Sequence, residues 1–540
     1  MSKIHGVTRG TRRRRRNKNK NRYTVVMIIL VIILLAAVGT LLFFLLKDRT
    51  PDVDPTFPSI IRSADGETIP TDQTEPTAAS AYEDLLKSAQ RIAGSYDYDT
   101  AIQMVQSEVP TYESIPELAS FISECRAKKA MLVKWGNNAD ITHVFFHTLI
   151  VDADKAFSSY KVNDYNEVMT TIEEFLKIME SMYERGYVLV HLSDIAKIEK
   201  QPDGTEQMTY QPIYLPVGKI PFVLSVDDVS YYEYMNNTGF ATRLIIDEDG
   251  RIINEMDTYQ EVPGRTDPNT GGPLLVRDEN GAPVVVSTVR GDFDVVPLLD
   301  RFVEEHPDFS YHGAKGTIAL TGYNGVLGYK TSEIAYGAGD PNWPSAYEYK
   351  NIHIEEDRVK AKEVADALKA EGWKFASHTW GHMRMESVVD KATGTIVADR
   401  FKRDTGWWDQ EVKPIIGDTD IIIFAFGSDI GSWRGYTDTN EAYLYLKSMG
   451  FDYFCNVDGS TPAWVQLSKT AGGTGYLRQG RRNLDGLLMF KQLLYPEKEI
   501  LSDLFDVQEV FDRRRPLTPV NGKVAGIAVP ADYDPSKLFK

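Results

Sequence analysis

The chain has 540 residues, 42% of them apolar, and a formal net charge of −17, which gives room for one large domain with attachments and excludes a disordered polymer. Ten basic residues and no acid fall in the first 22 positions, so the remainder carries 50 basic against 77 acidic residues. An acidic bulk of this kind argues against nucleic-acid binding.

Residues 1–22 read as a basic cytoplasmic tail. Tyr23 to Leu46 are 24 residues without a charge, and a helix needs about 20 to cross a bilayer core. The run exceeds the apolar core of about 7–15 residues found in a signal peptide and lacks the small-residue cleavage site. It is therefore expected to stay as a transmembrane anchor, residues 23–46. Arginines on its N-terminal flank hold that end in the cytoplasm, which puts residues from Lys47 onward outside. Their position against a span favours a topology signal over nucleic-acid contact.

Residues 47–80, rich in Asp, Thr, Pro and Ser, read as an extended linker. Residues 81–139 change to helical spacing, with Ala101, Met104 and Val105 and later Leu118, Phe121 and Ile122, and are expected to form a small helical spacer. The two cysteines, Cys125 and Cys455, lie far apart and lack the spacing of a zinc or redox pair. Two buried thiols are the expectation, although an outside location would permit a disulfide.

The main domain is expected over residues 140–500. Met182-Tyr-Glu-Arg-Gly186, Leu368-Lys-Ala-Glu-Gly372 and Leu446-Lys-Ser-Met-Gly450 are each followed by an aromatic and then an apolar stretch. A Gly just past a helix takes the left-handed conformation that closes it, so each marks a helix-to-strand junction. Ala361, Val364, Ala365 and Leu368 give the helix 356–370 one apolar face. Strands are expected at 141–146, 221–226, 317–320 and 420–424. The alternation predicts an α/β protein with a parallel sheet, open or closed into a barrel. Residues 247–292, rich in Gly, Pro, Asn and Asp, interrupt it as an inserted hairpin region, and residues 501–540 follow as a C-terminal extension.

In closed barrels the reactive groups collect at the C-terminal ends of strands. Here those ends carry His147, Asp227-Asp228, Ser377-His378 and Phe426-Gly427. His378 and His382 are four apart, neighbours if the segment is helical. Two imidazoles and one carboxylate make a three-ligand set for a divalent metal, most simply Zn, with a position left for water. The adjacent aspartates allow one to bind while the other acts as base. Non-haem iron oxygenases use a similar donor set, but a spare carboxylate favours water activation. Thr379 stands where the zinc-protease helix HExxH needs Glu.

Pro221-Phe-Val-Leu-Ser-Val-Asp-Asp228 and Ser377-His-Thr-Trp-Gly-His382 resemble the first two motifs of the polysaccharide deacetylase family, the NodB-homology domain of carbohydrate esterase family 4. Thr142-His-Val-Phe-Phe-His147 is similar to its opening strand. The resemblance covers most of residues 140–500 and implies an irregular (β/α) barrel with fewer than eight strands. By resemblance Asp227 is the catalytic base, and Asp228, His378 and His382 hold the metal. The implied reaction is hydrolytic removal of acetyl from a cell-envelope polysaccharide, normally at N-acetylglucosamine, by an enzyme acting on carbon-nitrogen bonds at the cell membrane. Val229 replaces the family's glycine after the acid pair, and Phe424-Ala-Phe-Gly427 lacks the arginine of motif three. Arg482 and Asp485 could supply that support. No histidine follows His382, so the general acid expected late in the domain is missing, and His147 is the candidate to replace it. Trp380, Trp407, Trp408 and Trp433 could line a sugar groove, with Trp407 and Trp408 divided between core and surface. The alternative reading is a catalytically degenerate glycan-binding or scaffold protein on the same fold. No protein partner is implied.

Overall fold

The computed structural model describes residues 82–268, 270–343, 350–459, 463–468 and 475–539. The expected basic tail, membrane anchor and linker lie outside the described residues. Among the described residues, no helix is long and apolar enough to cross a membrane.

Eight parallel strands build the centre. They are β1 (Thr142–His147), β2 (Tyr187–Leu189), β3 (Ile220–Asp227), β4 (Thr317–Leu320), β5 (Lys374–Ser377), β6 (Ile421–Ile423), β7 (Tyr453–Val457) and β8 (Tyr476–Asn483). Seven close into a barrel in the order β1-β3-β4-β5-β6-β7-β8 and back to β1. The short β2 pairs with the first half of β3, from Tyr187 opposite Ile220 to Leu189 opposite Phe222. The second half of β3 pairs with β4, Ser225 opposite Thr317.

The strand period of two sorts the side chains. On β3, Phe222, Leu224 and Val226 join the outer cluster with Ala361, Val364, Ala365 and Leu368 of the helix Ile354–Ala370. Val223 falls in a second cluster with Ala319, Ala376, Ile423 and Cys455, the barrel interior. Asp227 has the parity of Val223, so it points inward. The junction glycines close their helices as expected: Gly186, Gly372 and Gly450 have φ of 83°, 98° and 99°. A Cβ at Gly372 would lie 2.2 Å from the Gly313 carbonyl oxygen, which leaves room for glycine alone.

Three expectations are corrected. The segment read as a spacer folds into α1 (Glu83–Gly94), α2 (Tyr98–Glu108) and α3 (Pro116–Ala130), whose Ala101, Val105, Leu118, Ile122 and Cys125 share the interior cluster with Ile141, Val188 and Tyr453. It closes the end of the barrel where strands begin, and the hydrogen bond from His312 N to Ser95 O, 2.8 Å, ties it there. Trp407 and Trp408 are both buried, with no division between core and surface. The C-terminal stretch is built into the domain, because Leu501, Leu504, Phe505, Val510 and Phe511 join the outer cluster. The inserted region is a three-stranded antiparallel sheet, Arg243–Ile246, Ile252–Tyr259 and Val285–Gly291, with a further strand pair beside it. Both cysteines are buried and free.

The C-terminal stretch is anchored by Arg515, whose side chain and that of Glu174 are fully buried and joined at 2.6 and 2.7 Å. Glu174 also caps α4 (Ile172–Glu184) through Thr171. Removing one partner of a buried pair strands the other charge, so Arg515→Met is expected to cost about 3–5 kcal/mol. Urea denaturation of the variant against the parent checks this.

Candidate metal centre

Successive residues on a strand face opposite ways, yet Asp227 and Asp228 reach the same place. Asp227 ends β3 in register with His147 on β1 and Ala319 on β4. At Asp228 the backbone leaves the strand at φ 64°, its N–H donating to Ala319 O at 3.1 Å. Aspartate tolerates this left-handed conformation better than most residues, and the turn returns the second carboxylate to the barrel mouth.

The two histidines meet through a turn, which corrects the helical neighbour arrangement. His378 N donates to Leu320 O at 3.0 Å as β5 ends. Thr379 and His382 have φ of 64° and 50°, and the rings of His378 and His382 lie 5.0 Å apart. Asp404, on the helix Arg400–Glu411, holds the turn by accepting from Trp380 N at 2.8 Å and Gly381 N at 3.0 Å. Thr379 Oγ1 accepts from Met383 N at 2.7 Å.

His378 Nδ1–H donates to Ile423 O at 2.8 Å, which leaves Nε2 as a lone-pair donor toward the acids. That atom lies 3.9 Å from Asp228 Oδ1 and 4.0 Å from Asp227 Oδ2, and His382 Nε2 is 3.7 Å from Asp228 Oδ2. One ligand atom each from Asp228, His378 and His382 all fall within 4.8 Å of one another. Ligands on a tetrahedral Zn²⁺ at about 2.0–2.2 Å lie roughly 3.4 Å apart, so this set fits a divalent ion with little movement. Tyr232, whose hydroxyl donates to Asp228 Oδ1 at 2.5 Å, orients that carboxylate.

Asp227 is committed elsewhere. Arg481 Nη1 and Nη2 grip its two oxygens at 2.7 and 2.9 Å, while Arg481 also donates to Ser225 Oγ at 3.0 Å and stands over the Phe145 ring. Burial would raise the Asp227 carboxyl, but the Arg481 charge, helped by His378, overrides it and holds the group well below the usual carboxylate range. Burial likewise opposes the charge on Asp228, and His382 and His378 reverse the effect and lower it. His382 is pushed down to about 4, chiefly by burial, against the pull of Asp228, so it is a neutral ligand at neutral pH.

The remaining expected residues divide. His147 Nδ1–H donates to Val168 O at 3.0 Å, and the residue stands directly opposite Asp227 across β1 and β3. Phe426 is at the centre, its ring 4.2 Å from that of His382. Gly427 is required, because a Cβ there would meet Val457 at 2.4 Å. Arg482 is not the supporting arginine. It faces outward and binds Asp503 at 2.7 and 2.8 Å, and the residue on Asp227 is its inward-facing neighbour Arg481. Nor does Asp485 support the base: it caps the helix Gly486–Leu494 through Leu488 N and accepts from Asn483, and burial raises its carboxyl. Of the four tryptophans, Trp380, Trp407 and Trp408 are core and Trp433 is 83% exposed.

Arg481, Tyr232 and Asp404 escaped the sequence. Parity along β8 would have separated Arg481 from Arg482 once one inward residue was known. Neither Tyr232 nor Asp404 carries a sequence signal of its role. Asp404→Ala frees the Trp380-Gly381 turn and should weaken metal affinity about 10–100-fold, as loss of outer support does at metal sites, which titration of the metal-free chain with Zn²⁺ would measure.

No protein-family model matches the chain, and no curated protein matches it either.

Proposed function

We propose that the chain is a divalent-metal-dependent hydrolase that removes acetyl groups from a cell-envelope polysaccharide, with N-acetylglucosamine as the residue attacked. The observation that carries this reading is the division of labour at the barrel mouth. Asp228, His378 and His382 offer a three-ligand set suited to zinc, while Asp227 stands next to them ionised and held by Arg481. The motif resemblance supplies the fold type, that of the NodB deacetylases, and the acetyl specificity.

A divalent ion bound there would acidify a water and polarise the acyl oxygen. Asp227 is placed to take the water's proton on Oδ2, the oxygen nearer His378. Arg481 keeps that carboxylate ionised and fixes its orientation. It also makes Asp227 a weak base, since proton transfer works best near the operating pH. His147, opposite Asp227 on the neighbouring strand, is the side chain assigned to deliver a proton to the leaving amine. The apolar run 23–46 would hold this site outside the cell membrane with the N-terminus in the cytoplasm.

Acetate release from N-acetylglucosamine oligomers by the full chain, abolished by chelator and restored by Zn²⁺, is the expected result. A fully metal-loaded chain inert on a broad glycan panel would sink the hydrolytic reading. The absence of a histidine after His382 favours a second reading, a glycan-binding protein that no longer catalyses. That reading requires glycan binding to persist in His378→Ala.

A further inference from the structure

Phe426 combines three properties that a core or surface phenylalanine rarely has together. Its φ is 57°, an outlier for a bulky side chain of the kind that collects at functional sites. It is half exposed, at 50%. Its ring nevertheless packs on His382, at 4.2 Å between centroids, and carries the guanidinium of Arg384 at 3.7 Å from its own centroid. A planar cation on an aromatic face is held in place by the ring quadrupole, so the strained phenylalanine fixes Arg384 one ring's width from the metal ligands.

The charge there is not consumed internally. Arg384 Nη1 lies 3.7 Å from Glu386 Oε1, and Lys391 Nζ is 3.8 Å from the other oxygen of the same carboxylate. Two cations share one acid, and the Arg384 side chain remains 54% exposed. Arg384 thus keeps an exposed positive charge beside the His382 ring in a chain of net charge −17.

We propose that Phe426 and Arg384 form a subsite for an acidic group of the polymer, a carboxylate or a phosphate, on or next to the sugar that is deacetylated. The inference rests on the hydrolytic reading for its place in the reaction, but the binding it claims does not. Arg384 acts as a specificity-determining residue: its fork pairs with the anion bidentately, and Phe426 positions it.

The test compares acetate release from a neutral N-acetylglucosamine oligomer with that from two acidic ones, a copolymer of N-acetylglucosamine with uronic acid and a phosphodiester-linked oligomer. The enzyme arms are the full chain, Arg384→Ala and Arg384→Lys. The ratio of kcat/KM on acidic over neutral oligomer is expected to fall at least tenfold in Arg384→Ala, through KM, with Arg384→Lys in between and the parent's preference weakening with salt. The oligomer whose ratio falls identifies carboxylate or phosphate. An unchanged ratio on both acidic oligomers overturns the subsite. Calorimetric titration of the same oligomers into chelated protein separates the two claims. If no substrate is turned over but Arg384→Ala weakens acidic-oligomer binding, the subsite stands and the hydrolytic reading falls. Binding indifferent to Arg384→Ala defeats the subsite whatever the turnover.

Discussion

Asp227→Asn is expected to lower acetate release by about 10²–10⁴-fold, the range for losing a general base, and to act on kcat. Metal content should hold, because Asp228, His378 and His382 keep their donor atoms within 4.8 Å of one another without it. The substitution also leaves the Arg481 guanidinium facing a neutral amide in the barrel interior, so part of the roughly 3–5 kcal/mol typical of a broken buried pair should appear as lost stability. The pH dependence gives a separate signature. A carboxylate depressed in the folded state stabilises above its unfolded pKa and loses that contribution as pH falls through its folded value. Asp227 is depressed, so the parent should lose stability below about pH 4, the unfolded value for Asp, and the variant should lose less there. Denaturation curves across pH 3–7 measure it.

Arg481→Met should be the more damaging substitution for the fold. It takes away a side chain that is fully buried and bonded to Asp227, Ser225 and the Asn456 carbonyl, and it leaves an uncompensated carboxylate in the same space. A loss of about 3–5 kcal/mol is expected, against a total stability of about 5–15 kcal/mol for a typical domain. With the cation gone, burial dominates and Asp227 rises. The acid limb of the pH–rate profile should therefore move upward, with activity partly recovered at higher pH. Arg482→Met removes a neighbour of the same type on the same strand, but its partner Asp503 is 40% exposed. It should cost less and leave the pH profile in place. A matched pair of profiles from the two variants separates a positioning role from a merely structural one.

Much of the barrel was legible because its signals are local. The Gly after each helix, the 317–320 run and the apolar face at 361–368 are set by a few neighbouring residues, and each forms as its pattern requires. The donor set was legible because the acids and the histidines both stand at strand ends. What escaped depends on residues far apart in sequence. Choosing Arg481 over Arg482 needs the register of β8 against β7 and β1, which Asn456 opposite Gly480 and Val144 opposite Arg482 establish only in the folded barrel. The turn that joins His378 to His382 is held by Asp404, more than twenty residues later. The helices at 83–130 and the segment after residue 500 look dispensable in a local reading, because their partners, such as Tyr453 for the first and Glu174 for the second, lie hundreds of residues away.

Asp228, His378 and His382 are proposed to hold a catalytic divalent ion. The most direct test is elemental analysis of the purified full chain with acetate release measured on the same sample. The expected result is one divalent ion per chain, with ion and activity lost together in His378→Ala and in Asp228→Ala. Acetate release that continues undiminished after the ion is stripped, or a chain that takes up no ion at all, would contradict it.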